Sequence, residues 1–305
     1  VLSQESVLVH SAGHISTDEA TELIRFLEKG LGGGQFSFHP GVSYRHLLKI
    51  KGGSKNIVCT PPHDIPQKPF LTHLIKPGDS EADATAEALN KLIHASWELL
   101  SDHPINRKRI AEGKDPANSI WPWSPGYRPK MEKLTDMFPI KTGAVISAVD
   151  LIRGIGVYAG LEVVMVEGAT GLYDTNYEGK AEAALKALKE KDFVYLHIEA
   201  SDEAGHEGDV PLKVRTIEYL DSRIVKTIYE EIKNWEEPVT IAILPDHPTP
   251  CAIRTHTRDA VPFIIWHRDI QPDKVQTYDE FAAKEGGYGL LYADQFIKIV
   301  FNIKF

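Results

Sequence analysis

From Lys141 to the C-terminus, short apolar runs alternate with amphipathic stretches, and this alternation dictates the class of fold. GAVISAV reads as a strand, DLIRGIGVYAG as a helix, EVVMVEG as a strand, EGKAEAALKALKEK as a helix and DFVYLHIEA as a strand. VPLKVRTIEYLDSRIVKTIYEEIKN follows as a long amphipathic helix, then VTIAILPDH and VPFIIWH as two more strands. Strands that alternate with helices of this length build a parallel sheet wrapped by helices, an α/β fold. The stripe Val214, Ile217, Leu220, Ile224 and Ile228 is expected to pack the long helix on that sheet.

Two of these runs end in chemistry-bearing residues. DFVYLHIEA leads into Asp202-x3-His206, and VTIAIL leads into Asp246-His247, with His256 nine residues further on. In open α/β sheets, ligands bind beyond the carboxyl ends of the strands, so side chains there converge on one crevice. Three His and two Asp supply the mixed nitrogen and oxygen donors that Zn²⁺ or Mn²⁺ accept. Taken singly, each has a structural explanation: an Asp after a strand caps a helix, and a surface His means little. Five together at strand ends favour a metal site.

The N-terminal part reads differently. Thr17 and Asp18 offer caps for ATELIRFLEKGL, which stops at the Gly32–Gly34 run. HPGVSYRHLLKIKG has strand character around a turn, and NIVCTPPHDIP leaves an apolar run for a Pro-rich loop. Ser80 is placed to cap the helical EADATAEALNKLIHASWELLSDH. The polar NRKRIAEGKDPANS segment reads as the passage between two domains, with the boundary near Tyr127 to Lys130. Trp121 and Trp123, in WPWSPG, are expected to anchor an interdomain turn.

Composition narrows the function. A charge of −9, spread along the chain, argues against nucleic acid, which needs a basic surface. An anionic substrate must then meet a local cluster of cations. No apolar run approaches the roughly 20 residues of a membrane-spanning helix, so no membrane role is expected and the cytoplasm is the default compartment. Cys59 and Cys251 show no CxxC spacing and imply neither a disulfide framework nor a Cys-based zinc site. GLGGG lacks both the Walker lysine and the dinucleotide spacing, and no Gly-x-Ser-x-Gly elbow occurs.

The order Asp-x3-His, Asp-His, His resembles the metal core of the alkaline phosphatase superfamily. Within it, HIEASDEAGHEGD, NSIWPWSPGYRPK, GAVISAVDLIRGIG and VHSAGHIST resemble the archaeal type of cofactor-independent (2,3-bisphosphoglycerate-independent) phosphoglycerate mutases. The resemblance covers most of the 305 residues. It implies an alkaline phosphatase-like parallel sheet with helices on both faces, plus a smaller inserted α/β domain. Residues 1–128 would form the inserted domain that orients substrate, and 129–305 the metal-binding domain, with substrate held between them.

The resemblance also implies roles. Asp202, His206 and His256 would hold one divalent ion, and Asp246 and His247 would contribute to a second. Mn²⁺ is the expected metal, with Zn²⁺ or Co²⁺ as alternatives, and 2,3-bisphosphoglycerate is not required. His14, Arg45, His63 and Asp64 would meet the phosphorylated substrate, Asp64 at the glycerate hydroxyls, and Arg153 would reach it from the second domain. Each has a bland counterpart, such as Asp64 acting as an Asx-turn residue before an Ile65–Pro66 bend.

The implied reaction interconverts 3-phosphoglycerate and 2-phosphoglycerate through a phosphoserine. The family's first strand, ending in a metal-binding Asp, and its loop with the nucleophilic Ser do not occur in this sequence, which begins at VLSQESVLVHSAGH. The catalytic Ser is therefore unassigned, and a truncated or processed chain is expected. A phosphatase or phosphopentomutase of the same superfamily, or a non-catalytic phosphoglycerate-binding fragment, are the alternatives. Oligomeric state is left open.

Overall fold

The computed structural model describes residues 1–2, 9–65 and 67–302. Ser3–Leu8 of the opening segment, and Pro66 of the suggested bend, lie outside the described residues. The chain divides into two compact units, Val1–Arg128 and Pro129–Phe305.

The first unit opens with helix α1 (Thr17–Leu31). Its cap is Ser16 rather than Thr17 or Asp18: Ser16 Oγ accepts from the Glu19 amide at 3.3 Å and donates to the Glu19 carboxylate at 3.1 Å. The first of these bonds satisfies the Glu19 amide, one of the donors that the first turn leaves orphaned. Leu23, Ile24 and Leu27 then fall on one face and are buried. Strands β1 (Phe36–His39) and β2 (Leu47–Ile50) form an antiparallel hairpin, as the sequence leads one to expect. A second short antiparallel pair joins β3 (Ile57–Val58) to β4 (Lys76–Pro77).

Helix α2 (Asp83–Ser101) follows a single 3₁₀ turn whose cap is Asp79, not Ser80: the Asp79 carboxylate accepts from the Ala82 amide at 3.0 Å. NRKRIA, expected as a linker, is helix α3 (Pro104–Ala111), started by a Pro at its first position and capped by His103. It packs within the first unit because Asn106 and Arg109 are buried there. Leu23, Leu27, Phe38, Phe70, Leu89 and Ile93 make up one core, with Trp121 packed against it. Burying each of these large side chains contributes roughly 1.5–3 kcal/mol.

In the second unit a short helix, α4 (Leu134–Met137), precedes the central strand β5 (Gly143–Ile146). β5 is buried throughout and runs parallel to β6 (Glu162–Val163) on one side and β7 (Phe193–Leu196) on the other. Helices α5 (Asp150–Tyr158) and α6 (Tyr177–Leu188) make the crossovers that parallel strands need. α5 lies so close to β5 that a Cβ on Gly156 would stand 2.5 Å from a Val145 methyl. After β7 come α7 (Ala200–Glu207) and α8 (Val210–Tyr219), a π-helical turn at Leu220–Val225, and α9 (Lys226–Ile232).

That π turn breaks the expected stripe. An extra residue in the turn rotates the apolar face, so Val214 and Ile217 are half exposed while Ile224 is buried. Leu220, Ile224 and Ile228 pack with Tyr177 and Ala181 of α6. The strands β8 (Ile241–Ile243) and β9 (Ile264–Trp266) also depart from the expectation: they pair with each other, antiparallel, in a two-stranded ladder separate from β5–β7. Helix α10 (Gln295–Asn302) closes the described chain, with Phe301 against Phe138 and Phe193. Among the described residues no helix is long and apolar enough to cross a membrane.

Candidate metal centre

Helix α7 starts four residues after the end of β7 and is capped by Gly208, whose φ of 72° takes the left-handed turn that stops a helix. One helical turn therefore sets Asp202 and His206 on the same face, with Oδ2 and Nε2 3.2 Å apart. His256 arrives from the β8–β9 connection, where Arg254 (φ 56°) returns its amide to the Pro250 carbonyl. The His256 Nε2 atom lies 3.1 Å from His206 Nε2 and 3.5 Å from Asp202 Oδ1. Asp202, His206 and His256 each offer a ligand atom, all within 4.8 Å of one another.

Hydrogen bonding fixes which atoms are free to bind. His206 Nδ1 lies 3.0 Å from the Arg254 carbonyl, which only accepts, so Nδ1 carries the proton. In the neutral form of the ring, the lone pair is then on Nε2, which faces the Asp202 carboxylate and His256. A ligating His held by a backbone carbonyl at its other nitrogen is the usual arrangement in metal sites. Two imidazoles and a carboxylate suit a divalent cation, which replaces their mutual repulsion with three attractions.

Asp246 and His247 sit beside this triad, just past β8. Thr249 is buried and its hydroxyl donates to Asp202 Oδ1. With its proton so committed, Thr249 Oγ1 accepts from His247 Nδ1 at 3.3 Å. His247 Nε2 lies 3.4 Å from Asp246 Oδ2. The His247 and His256 rings lie 3.7 Å apart, centroid to centroid, so all five residues form one group.

The surroundings are acidic. Glu199, Asp202 and Glu203 also bring carboxylate oxygens together. Burial pushes the Glu199 carboxyl up from its ordinary value, with Glu203, Asp202 and Asp246 adding repulsion and Lys180 opposing them. At the ends of β5 and β7, Ser147 Oγ lies 3.2 Å from His197 Nδ1. Burial is the main reason that His197 resists protonation. Arg153, on α5, bonds the Asp150 carboxylate at 2.8 Å, the Ala148 carbonyl at 2.9 Å and Met165 Sδ at 3.1 Å. It is tied to its own helix start.

In the first unit, His63 and Asp64 form a 3.8 Å pair in the turn after β3. The His63 ring meets Trp123 edge-on at 5.4 Å and His10 at 5.9 Å, and His10 in turn meets Tyr44 at 5.4 Å. The Arg45 guanidinium lies over the Tyr44 ring. Burial, followed by the fields of His63 and His14, holds His10 below the ordinary histidine range. Trp121 donates its indole N–H to the Thr60 carbonyl at 2.9 Å, which anchors WPWSPG inside the first unit.

Comparison with known proteins fits this geometry. Residues 62–299 match the Metalloenzyme superfamily, and residues 1–106 match 2,3-bisphosphoglycerate-independent phosphoglycerate mutase. An enzyme of that name from Methanosarcina barkeri is 50% identical over 97% of this chain and 73% of its own length. This chain belongs to the 2,3-bisphosphoglycerate-independent phosphoglycerate mutases. A mutase of the same name from Methanocaldococcus jannaschii is 36% identical over 97% of this chain and 72% of its own. The solved cofactor-independent phosphoglycerate mutase from Thermoplasma acidophilum superimposes with a TM-score of 0.60 at 26% identity, covering 90% of this chain and 67% of that one. A solved protein from Pyrococcus horikoshii gives 0.73 at 29% identity, covering 93% and 68%. The alkaline phosphatase-like α/β fold of these mutases is thus shared here.

Several residues of these clusters escaped the sequence reading. Thr249, His197, Ser147, Glu199 and Lys180 bear on the metal cluster, and His10, Tyr44 and Trp123 on the first-unit cluster. Thr249 sits only two residues after His247, and His197 lies inside the strand run itself. Nothing but three-dimensional contact distinguishes them from ordinary turn and strand residues.

Proposed function

We propose that this chain interconverts 3-phosphoglycerate and 2-phosphoglycerate in the cytoplasm, without 2,3-bisphosphoglycerate, using two divalent cations of which Mn²⁺ is the natural choice. The observation that carries this reading is the convergence of the Asp202, His206 and His256 ligand atoms in a chain half identical to a named mutase. Asp202, His206 and His256 hold the first ion, and Asp246 and His247 contribute to the second. When bound, such ions neutralise charge on a transferring phosphoryl group and activate an oxygen nucleophile.

The remaining assignments concern binding and orientation, and the Ser that would carry the phosphoryl group stays unassigned. Thr249 keeps Asp202 and His247 oriented through a shared hydroxyl. The Arg45 guanidinium offers a planar fork to the substrate's carboxylate or phosphate. Asp64 accepts from the glycerate hydroxyls, and His14 and His63 complete the contact. Arg153 is assigned to the same substrate, which it would meet by leaving the Asp150 carboxylate. Residues 1–128 orient the substrate, and 129–305 carry the metals.

Turnover of 3-phosphoglycerate to 2-phosphoglycerate, set against hydrolysis of p-nitrophenyl phosphate by the same Mn²⁺-loaded native protein, tests this reading. Faster mutase turnover supports it. Dominant hydrolysis would assign the site to a phosphatase of the same superfamily, and substrate binding without turnover would assign a binding module.

A further inference from the structure

His14 is the last of three consecutive residues in the left-handed region: Ala12 has φ 47°, Gly13 φ 63° and His14 φ 55°. L-residues avoid this region, so such a run persists only where its surroundings over-determine it, and such strain concentrates at binding sites. Part of the constraint is local. The Ile15 amide returns to the Ser11 carbonyl at 3.1 Å, and Ser11 Oγ accepts from the His14 amide at 3.3 Å. Ser43, beside Tyr44 and Arg45, donates its hydroxyl to the Ile15 carbonyl at 2.7 Å, and its amide to Thr17 Oγ1 at 3.1 Å. The loops of His14 and Arg45 are thereby tied together.

The remaining constraint comes from ninety-odd residues away. The Arg109 side chain is only 4% exposed, and three of its nitrogens are engaged. Nη2 donates to the Ala12 carbonyl at 2.6 Å, Nη1 to Glu19 Oε2 at 2.6 Å and Nε to the Asp115 carbonyl at 2.8 Å. Glu19 is bonded to Ser16, the cap that starts α1 immediately after the turn. Asp115 flanks the turn's middle residue, since a Cβ on Gly13 would stand 3.4 Å from its carboxylate. One planar cation therefore grips the turn at its first residue, at the helix behind it and at the segment beside it. Lysine, a point donor, cannot serve three acceptors in that plane.

We infer that Arg109 is a positioning residue for substrate binding, holding the Ala12–His14 turn in its left-handed form and so fixing the place of the His14 imidazole. The inference rests on the reading of His14 as a substrate contact. Arg109 itself is buried and does not touch substrate.

The test is calorimetric binding of 3-phosphoglycerate to the Mn²⁺-loaded native protein, with Arg109→Lys measured in the wild-type and His14→Ala backgrounds. Arg109→Lys is expected to weaken binding about tenfold in the wild-type background and less than about twofold in the His14→Ala background, the signature of coupled residues. Its metal content stays unchanged. Equal losses in both backgrounds would overturn the inference, because Arg109 would then act on the fold at large. If His14→Ala weakens binding and Arg109→Lys does not, the inference alone falls. No effect of His14→Ala would remove the substrate assignment beneath it. Should Arg109→Lys fail to fold, Glu19→Gln replaces it, with a loss of about threefold expected that again vanishes in the His14→Ala background; an unchanged affinity overturns the inference.

Discussion

The Nε2 atoms of His206 and His256 lie 3.1 Å apart, although fifty residues separate them in sequence. His206 Nδ1 donates to the Arg254 carbonyl, so in the neutral ring the lone pair falls on the nitrogen that faces His256 and the Asp202 carboxylate. That arrangement is stable once a cation lies among the three groups. His256→Ala should therefore lower Mn²⁺ affinity by more than the roughly 10–100-fold that loss of an outer-shell partner brings. Metal retained after dialysis, measured by elemental mass spectrometry, gives the answer; unchanged retention would move the site elsewhere.

Thr249 links the two halves of the centre through one hydroxyl, donating to Asp202 and accepting from His247. Thr249→Val keeps the shape and removes the hydroxyl. Loss of a partner that orients two ligands should weaken metal binding roughly 10–100-fold with the fold intact. Competition against a chelator of known affinity measures it. A valine variant that binds as tightly as wild type would show that the hydroxyl orients nothing.

Arg45 belongs to a different unit from the metal ligands. Arg45→Ala should raise KM for 3-phosphoglycerate by roughly 10–100-fold, the worth of a charge-assisted hydrogen bond or two, while metal stoichiometry stays the same. A fall in kcat at constant KM would instead place Arg45 in the transition state alone.

Lys180 is 1% exposed, and burial lowers its pKa to about 8 from 10.5, with Glu199 acting in the opposite sense. Below pH 8 both folded and unfolded chains carry the proton, so the buried charge destabilises the fold in full. Between about pH 8 and 10.5 the unfolded chain holds more protons, and stability rises with pH, by up to about 1.4 kcal/mol per unit. Urea unfolding of wild type and Lys180→Met across this window should show the wild type gaining on the variant as pH rises. Parallel curves would mean that Lys180 keeps an ordinary pKa.

Local periodicity made the α/β class legible, since β5, α5, α6 and β7 each fall where apolar spacing puts them. That Asp202, His206, Asp246, His247 and His256 come together was legible for a related reason: strand ends deliver side chains to one place. What could not be read depended on contacts between distant segments. The pairing of β8 with β9 turns on which neighbour each strand meets, and both runs look alike as central or paired strands. The caps at Ser16 and Asp79 moved by one residue because Ser, Thr and Asp compete equally for such positions. Arg109 looked like one cation in a basic stretch, and only burial among three carbonyl and carboxylate oxygens reveals it. The π turn at Leu220–Val225 leaves no mark in the pattern, yet it decides which half of the stripe is covered.

The most direct measurement is ³¹P NMR of 3-phosphoglycerate with the native protein, free of 2,3-bisphosphoglycerate, before chelation, after EDTA treatment and after Mn²⁺ is restored. The account predicts that 2-phosphoglycerate appears, that EDTA abolishes its formation, that Mn²⁺ restores it, and that His256→Ala is not rescued. Interconversion that survives complete metal removal, or that requires added 2,3-bisphosphoglycerate, would contradict it.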